Sequence, residues 1–167
     1  MSMEQIRIRK ATERDIDSLV TMRFALQKHL EESDPSVWKF SADALVSLRK
    51  ELRSRFANET SFVAIAETDE SHIPVGMLQA DIIRNTGYDP PAYGHIHIVY
   101  VAKPARGNGI GKRLVKLAAD FFAIWRIEHI NVGYVLKNKE AVAFWTALGF
   151  NPRILHATIT KSQLDEI

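Results

Sequence analysis

Residues 93–112 read YGHIHIVYVAKPARGNGIGK and carry the strongest structural signal in the chain. The first nine of these residues include two histidines, two isoleucines, two valines and two tyrosines, a composition typical of a β-strand. Gly107, Gly109 and Gly111 follow at alternate positions, and a run of apolar residues with helical spacing begins directly after them. The stretch therefore predicts a strand, a turn whose backbone a ligand approaches closely, and a helix over about residues 109–124.

The remaining elements extend outward from this unit. Short β-rich or alternating runs predict further strands at residues 5–10, 62–66, 75–83, 129–135 and 154–160. Helical spacing predicts further helices over about residues 16–30, 45–56 and 138–148. The order β-α-α-β-β-β-α-β-α-β indicates an α/β (α+β) fold, with a mixed sheet and helices on both faces. The strand at 93–101, its helix and the strand at 129–135 form a βαβ unit, so these two strands are predicted to be parallel.

The composition limits the class of protein. A length of 167 residues predicts a single domain over residues 1–167. Hydrophobic residues at 46% and charged residues at 25% are typical of a globular chain, and a net charge of +2 gives no indication of a nucleic-acid partner. The absence of cysteine excludes a disulfide scaffold, a thiolate zinc site and a cysteine nucleophile. Residues 1–11 have no signal-peptide core and no run is long enough for a membrane helix, so we expect a cytoplasmic protein with no metal and no membrane partner.

The glycine-containing turn predicts an anion site. Because it connects a buried strand to a helix, the amides of residues 106–112 are expected to point unpaired into the space before the helix. That position suits a pyrophosphate, and Arg106, Lys112 and Arg113 add positive charge.

Two common phosphate-binding motifs do not describe this turn. The phosphate-loop motif G-x-x-x-x-G-K-[ST] fails because Arg106 and Arg113 replace required residues. The dinucleotide motif G-x-G-x-x-G fails because Lys112 stands where the third glycine belongs. The pattern R-x-x-G-x-G, from Arg106 to Gly111, fits without exception.

With this turn the chain resembles the GNAT superfamily of N-acetyltransferases, in which (Q/R)-x-x-G-x-(G/A) at a strand–helix junction holds the pyrophosphate of acetyl-CoA. Residues 138–150, NKEAVAFWTALGF, resemble a second family signature, N-x-x-A-x-x-F-Y-x-x-x-G-F. The predicted element order also agrees with the family's fold over essentially the whole chain. The resemblance implies a mixed, mostly antiparallel sheet of six to seven strands with a central parallel pair that splays apart, flanked by four helices.

The resemblance also implies an activity and a donor site. The reaction would be transfer of an acetyl group from acetyl-CoA, the acyl-donor substrate, to a primary amine by direct attack in a ternary complex. The main chain of Val99 and Val101 would pair with the pantetheine arm, and a backbone N–H near Val99 would stabilise the oxyanion. The implied cofactor-binding residues are Val99, Val101, Arg106, Gly107, Asn108, Gly109, Ile110, Gly111, Lys112, Asn138, Phe144 and Trp145.

The catalytic positions depart from the family pattern. Where the family often has glutamate, four residues before position 101, this chain has His97, and a neutral imidazole is a suitable proton acceptor at pH 7. His95, on the same face of the strand, and Asp81, on the neighbouring strand, are further candidates for the base. The family's tyrosine, often assigned as general acid, is Trp145 here, and indole has no usable acidic proton. Tyr134 is the candidate that replaces it, unless the thiol leaves as a thiolate without an acid.

Several alternatives remain open at this point. Both histidines could simply complete a half-buried strand. Trp145 and the missing glutamate also allow a non-catalytic acyl-CoA-binding sensor. A nucleic-acid binder using Lys116 and the basic residues of the turn is disfavoured, because those charges cluster where the phosphates of the donor are expected.

The acceptor is the least defined part of the site. A polyamine, an amino acid, an aminoglycoside and a protein N-terminus all fit the sequence. An acidic and aromatic wall would suit a small cationic amine, and the candidates for it are His29, Glu32, Asp34, Trp38 and Tyr88. A homodimer is expected because the family often forms one.

Overall fold

Five strands and five α-helices occur in residues 5–36 and 38–166, the part of the chain that the computed structural model describes. The stretch used to exclude a signal peptide lies partly outside these residues. The strands are β1 Ile6–Lys10, β2 Ser61–Thr68, β3 Pro74–Arg84, β4 Ala92–Val101 and β5 Ile130–Val132. The helices are α1 Ile16–Ser33, α2 Ala44–Phe56, α3 Ile110–Ile124, α4 Lys139–Ala147 and α5 Lys161–Leu164. A short 3-10 helix at Glu13–Asp15 precedes α1, and another at Lys103–Ala105 precedes the glycine-containing turn that leads into α3.

The strands form one mixed sheet in the order β1-β2-β3-β4-β5. The pairs β1–β2, β2–β3 and β3–β4 are antiparallel, whereas β4 and β5 are parallel, which confirms the predicted βαβ unit. The β4–β5 ladder has three pairs and ends at Ile96 and Val132, although β4 continues to Val101. The two strands are therefore not paired beyond that point, as the family resemblance implied.

Strand β4 contains one residue that has no partner on β3. Gln79 pairs with Ile98 and Ala80 pairs with Ile96, so His97 forms a β-bulge between them. One extra residue reverses which face the later side chains occupy. Ile96 accordingly belongs to the core beneath α3, whereas Ile98 packs into the core beneath α1 and α2.

Helices cover both faces of the sheet because each has an apolar stripe. The stripe of α3 repeats every four residues and consists of Ile110, Leu114, Ala118 and Phe122. The stripe of α2 has the same spacing and consists of Ala44, Leu48 and Leu52. The sheet therefore lies between two apolar cores, one with α3 and α4 and the other with α1 and α2.

The predicted strand at residues 154–160 is wrong. Residues 150–160 have no regular structure, and residues 151–160 are exposed. An alternating pattern becomes a strand only where a neighbouring strand supplies hydrogen bonds and cover, and among the described residues β5 has no neighbour on its outer side. The sheet consequently has five strands rather than six or seven, and the short helix α5, capped by Thr160, makes five helices rather than four.

Gly94 in β4 tests the packing between the sheet and α3. A Cβ at this position would lie 2.7 to 2.8 Å from ring carbons of Phe122. We expect Gly94→Ala to lower the free energy of unfolding by about 1–3 kcal/mol, because the ring or the strand must move to accommodate the methyl group. Denaturant titration of the purified variant measures this change.

Gly133→Ala is the matched control. Its Cβ would meet nothing within 4 Å, and Gly133 has no positive φ. The control should change the stability by no more than about 0.5 kcal/mol. Equal losses in the two variants would show that the contact with Phe122 is not the cause.

Candidate active site

The turn after β4 presents main-chain amides at the start of α3. Gly107 has a φ of 82° and Gly109, the N-cap residue, a φ of 71°, conformations that glycine adopts at little cost. In the described part of the chain, none of the amides of residues 107–112 donates a hydrogen bond to another residue. The turn therefore has the free amides that the sequence predicted at residues 107–112, at the positive end of a helix, where an anion is favoured.

The backbone amide of Arg106 was predicted to be unpaired, and the structure shows that it is not. Its amide is not free, because it donates to the carbonyl oxygen of Lys103 at 3.3 Å. Its side chain donates from Nε to the carbonyl oxygen of Val101 at 3.0 Å and from Nη1 to the carboxylate of Glu140. The guanidinium is thus held at the mouth of the turn with its charge balanced by Glu140.

Gly111 has a packing role. A Cβ there would lie 3.0 to 3.1 Å from ring carbons of Phe144, so the glycine allows α3 and α4 to approach closely.

The two basic side chains after Gly111 have different surroundings. Lys112 is exposed at the turn, whereas Arg113 donates from Nη2 to the carbonyl oxygen of Ile6 at 2.9 Å.

A cavity of about 250 Å³ lies where β4 and β5 separate. The amide of Ala102 donates to the carbonyl oxygen of Val75 at 2.8 Å, so alternate residues before it on β4 also bond to β3. The intervening main-chain groups of Val99 and Val101 consequently face the side of β4 that β5 has left. The cavity is lined by Leu26, Leu30, His97, Ile98, Val99, Val132, Gly133, Tyr134, Val135, Asn138, Ala141 and Trp145.

Five of the residues singled out in the sequence meet around this cavity: His97, Val99, Tyr134, Asn138 and Trp145. Asn138 caps α4, since its Oδ1 accepts a hydrogen bond from the amide of Ala141 at 3.1 Å. Trp145 is only 4% exposed and makes edge-to-face contacts with the rings of Phe144 and Phe150. Most of the Trp145 side chain therefore packs in the core, and one part of its surface lines the cavity.

His97 is held by a polar network on the face of β4 that α2 covers. Its Nε2 lies 2.7 Å from Oδ2 of Asp81, and its ring centroid lies 4.4 Å from that of His95. Nη1 of Arg55 lies 2.7 Å from each oxygen of the same carboxylate, and Nε of Arg55 donates to Oε1 of Glu51 at 2.9 Å. Residues from β3, β4 and α2 thus converge beside the cavity.

The surroundings of Asp81 and His95 make both groups weaker proton acceptors than they would be in water. Burial alone would raise the pKa of Asp81, but hydrogen bonds from His97, Ser61 and Arg55 outweigh it and hold that pKa well below the usual carboxyl range. A carboxylate stabilised in this way accepts protons weakly. Burial, and secondarily the adjacent His97, lower the pKa of His95, so that ring is neutral at pH 7.

The acceptor candidates do not assemble into a wall. Nε2 of His29 lies 3.5 Å from Oε2 of Glu140, and Oδ1 of Asp34 lies 3.1 Å from Nζ of Lys137. Trp38 and Tyr88 are 82% and 71% exposed, and none of the five candidates is among the residues lining the cavity. The end of α1 instead crosses to the segment that leads into α4.

Sequence reasoning missed two parts of this site. The bulge at His97 has no local signal apart from two histidines in an otherwise apolar strand. Arg55 and Glu51 come from α2, where a charged residue on a helix is ordinarily a solvated side chain. Only the packing of α2 on the sheet brings them to Asp81.

Comparison with known proteins identifies the family. Residues 23–150 match the sequence model of the acetyltransferase (GNAT) family. The chain belongs to this family. A search of curated proteins found no significant match to the sequence.

Three solved structures show the GNAT fold of the chain. A predicted acetyltransferase with acetyl-CoA from Clostridium acetobutylicum has a TM-score of 0.75 at 18% identity, covering 95% of this chain and 98% of that one. An aminoglycoside antibiotic 6′-N-acetyltransferase from Acinetobacter baumannii has a TM-score of 0.73 at 19% identity, covering 93% and 99%. Glucosamine-6-phosphate N-acetyltransferase from Arabidopsis thaliana has a TM-score of 0.69 at 17% identity, covering 95% and 99%.

The described residues lack two further features. They contain no group of three or more His, Cys, Asp or Glu side chains arranged to hold a metal ion. Among the helices of the same residues, none has the length and apolarity needed to cross a membrane.

Gly109→Glu tests the anion site. A carboxylate among the free amides of the turn repels a diphosphate and competes for the same donors, so we expect the affinity for coenzyme A to fall about 100-fold or more. Isothermal titration calorimetry with coenzyme A measures the loss.

Gly87→Glu is the matched control, because Gly87 also has a positive φ, of 84°, and open space around its Cβ. It lies in the β3–β4 loop, at the other end of β4. Both variants carry the same strain of about 1–2 kcal/mol for a left-handed residue. Unchanged affinity in Gly109→Glu, or an equal loss in both variants, would contradict the assignment.

Proposed function

We propose that this GNAT protein transfers the acetyl group of acetyl-CoA to a primary amine by direct attack, without an acyl-enzyme. The proposal rests on one observation: the turn, the unpaired side of β4 and the cavity are continuous. The free amides of residues 107–112 lead along the unpaired side of β4 into the cavity, and His97 lies at that cavity. Membership of the GNAT family supports acetyl-CoA as the donor in general.

The donor would be held mainly by main-chain groups. The amides of Gly107, Asn108, Gly109, Ile110, Gly111 and Lys112 would bind the pyrophosphate, and the exposed side chain of Lys112 would add positive charge. Arg106, which is paired with Glu140, would hold the mouth of the turn. The main chain of Val99 and Val101 would pair with the pantetheine arm, because no β5 residue occupies that side. Asn138 and Trp145 line the cavity that would receive the arm, and Phe144 supports the turn through Gly111.

The chemistry then needs a base and an oxyanion donor. The amine nitrogen forms a bond to the thioester carbonyl carbon, and the carbon–sulfur bond breaks to release the thiolate. His97 takes the proton that the amine loses, and the N–H of Val99 donates to the oxyanion. Tyr134 lines the same cavity and would protonate the thiolate, although a thiol with a pKa of about 8.5 also leaves unaided.

The acceptor is proposed as a primary amine, with small cationic amines as the first class to test. Two of the similar structures are acetyltransferases named for an aminoglycoside and for glucosamine 6-phosphate, and both of these acceptors carry amines. A suitable panel is spermidine, kanamycin, glucosamine 6-phosphate, a free amino acid and a tetrapeptide with a free N-terminus. Release of free thiol from acetyl-CoA measures turnover on each.

His97→Ala tests the base. At pH 7 we expect kcat to fall by about 100- to 10,000-fold, because the protonated amine no longer has an acceptor for its proton. Near pH 10 the amine is largely neutral by itself, so the difference from the wild type should shrink. The pH dependence of kcat on the best acceptor of the panel measures both effects.

Tyr134→Phe is the control variant for this cavity, since it removes only a hydroxyl group. It should leave the acidic side of the pH profile unchanged. An unchanged profile in His97→Ala would remove His97 as the base. Tight binding of acetyl-CoA with no turnover on any amine would favour the non-catalytic sensor.

We also propose a homodimer in which residues 154–160 of one copy pair with the free edge of β5 in another. These residues are exposed, and Leu155 and Ile159, on one face of an extended chain, are 70% and 52% exposed. Strand β5 is an edge strand. An exposed apolar strand-forming segment and an open sheet edge on the same chain favour pairing between copies.

The double substitution Leu155→Lys/Ile159→Lys tests this interface. We expect light scattering to show a dimer for the wild type and a monomer for the variant, because charge on the apolar face prevents pairing. Ile124→Lys is the control, since Ile124 is 80% exposed on another element and should leave the dimer intact. A monomeric wild type would overturn the proposal.

A further inference from the structure

The strongest unassigned feature is the carboxylate of Asp81, which joins three elements beside the cavity. Oδ2 of Asp81 lies 2.7 Å from Nε2 of His97, and both of its oxygens lie 2.7 Å from Nη1 of Arg55. The side chains of Asp81 and Arg55 are only 18% and 15% exposed. A half-buried ion pair of this kind keeps its geometry better than a surface pair does.

The bulge explains why His97 needs such support. His97 has no partner on β3 and follows directly after the last pair of the β4–β5 ladder. Its main chain is therefore less constrained than that of its neighbours. The contact with Asp81, rather than the sheet, fixes the plane of the imidazole ring.

The geometry also selects a tautomer. An ionised carboxylate only accepts hydrogen bonds, so the ring nitrogen facing Asp81 must carry the proton. In the neutral ring this is Nε2, which leaves the lone pair on Nδ1. The low pKa of Asp81 means that its carboxylate keeps this role across the neutral pH range.

We propose that Asp81, held by Arg55, is a positioning residue that fixes His97 as the Nε2–H tautomer and leaves Nδ1 free to take the proton of the acceptor amine. The inference rests on the proposed function of His97. When Nδ1 gains that proton, the imidazolium lies against an ionised carboxylate, which stabilises the new charge. Asp81 itself neither gains nor loses a proton.

Other charged groups around His97 do not oppose this arrangement. Next to it on β4, His95 is neutral at pH 7. The cation Arg55 on α2 is balanced by Glu51 and Asp81, and Arg23 on α1 lies 3.8 Å from Glu51. Tyr134 is the titratable group on the cavity side. The carboxylate of Asp81 is thus the charge in direct contact with the ring.

Asp81→Asn is the first test. The amide is nearly isosteric but neutral, so it stabilises the imidazolium less and also offers an N–H that favours the wrong tautomer. We expect kcat at pH 7 to fall about 100-fold, the lower end of what proton transfer by a positioned side chain contributes. The limb of the kcat/KM profile that reports the base should move to lower pH. The affinity for coenzyme A should not change.

Asp15→Asn is the matched control. Asp15 is a similarly shielded carboxylate, 12% exposed, that pairs with an arginine, Arg9, at 2.8 Å, without contact to a histidine. The control should lose stability without moving the pH profile. A profile shifted equally in both variants would overturn the proposal.

A double-mutant cycle separates positioning from general structural support. If Asp81 acts through His97, Asp81→Asn in the His97→Ala background should change kcat by less than about twofold. If Asp81 only supports the fold, the loss should be the same in both backgrounds, which would overturn the proposal.

A readout that needs no turnover keeps this test apart from that of the proposed function. Long-range ¹⁵N–¹H spectra of labelled wild-type protein, with His97 assigned by its loss in His97→Ala, should show the proton on Nε2. Asp81→Asn should raise the share of the Nδ1–H form. A wild-type ring protonated at Nδ1, or a tautomer unaffected by Asp81→Asn, would refute the positioning role even if the protein acetylates an amine. Failure to acetylate any amine would refute the proposed function. The spectra would still decide whether Asp81 fixes the tautomer of His97.

Discussion

One unpaired residue in a central strand organises this molecule. Because His97 has no partner on β3, the main-chain groups and side chains of β4 change sides at that point. Before the bulge, Gly94 and Ile96 pair with β5; after it, Val99 and Val101 direct their main chain to the same side but find no strand there. The sheet thus remains continuous through β3 while it opens toward β5.

That opening requires compensation, since a sheet that loses a ladder exposes polar backbone groups. Part of the compensation is visible at the carbonyl oxygen of Val101, which accepts a hydrogen bond from Arg106. The side chains of α4 and of the segment after β5 line the rest as a mostly apolar cavity. A cleft with unused main-chain donors and acceptors along one wall suits an extended ligand that itself carries amide groups, and this is the physical basis for the donor site proposed here.

The other face of the bulge carries the charges. Buried and half-buried charges are costly unless they are paired, and the pairs Arg55–Asp81 and Arg55–Glu51 meet that requirement. Arg23 is a further case. Burial lowers the pKa of its guanidinium, and its Nη1 lies 2.5 Å from Oε1 of Gln79, a fully buried side chain. Helices α1 and α2 are therefore joined to the sheet by polar contacts as well as by the apolar core, and one of these contacts, Arg55–Asp81, extends to His97.

The glycines of the turn show that one sequence pattern can serve two needs. Gly107 and Gly109 take left-handed conformations that free the amides, whereas Gly111 is helical and makes room for Phe144. The same motif therefore shapes the proposed anion site and sets the distance between α3 and α4. A motif match alone does not distinguish these roles.

Local chemistry was sufficient to predict most of the elements. Periodicity located β1 to β4 and the four longer helices, and the glycine pattern predicted the turn with free amides after β4, because these signals depend on residues close together in the chain. The same reasoning failed at residues 154–160, where an alternating pattern found no neighbouring strand. The bulge at His97 and the contact of Arg55 with Asp81, 26 residues away, arose from the packing of α2 and β3. Such features depend on which distant surfaces meet, and a pattern of nearby residues carries no record of that.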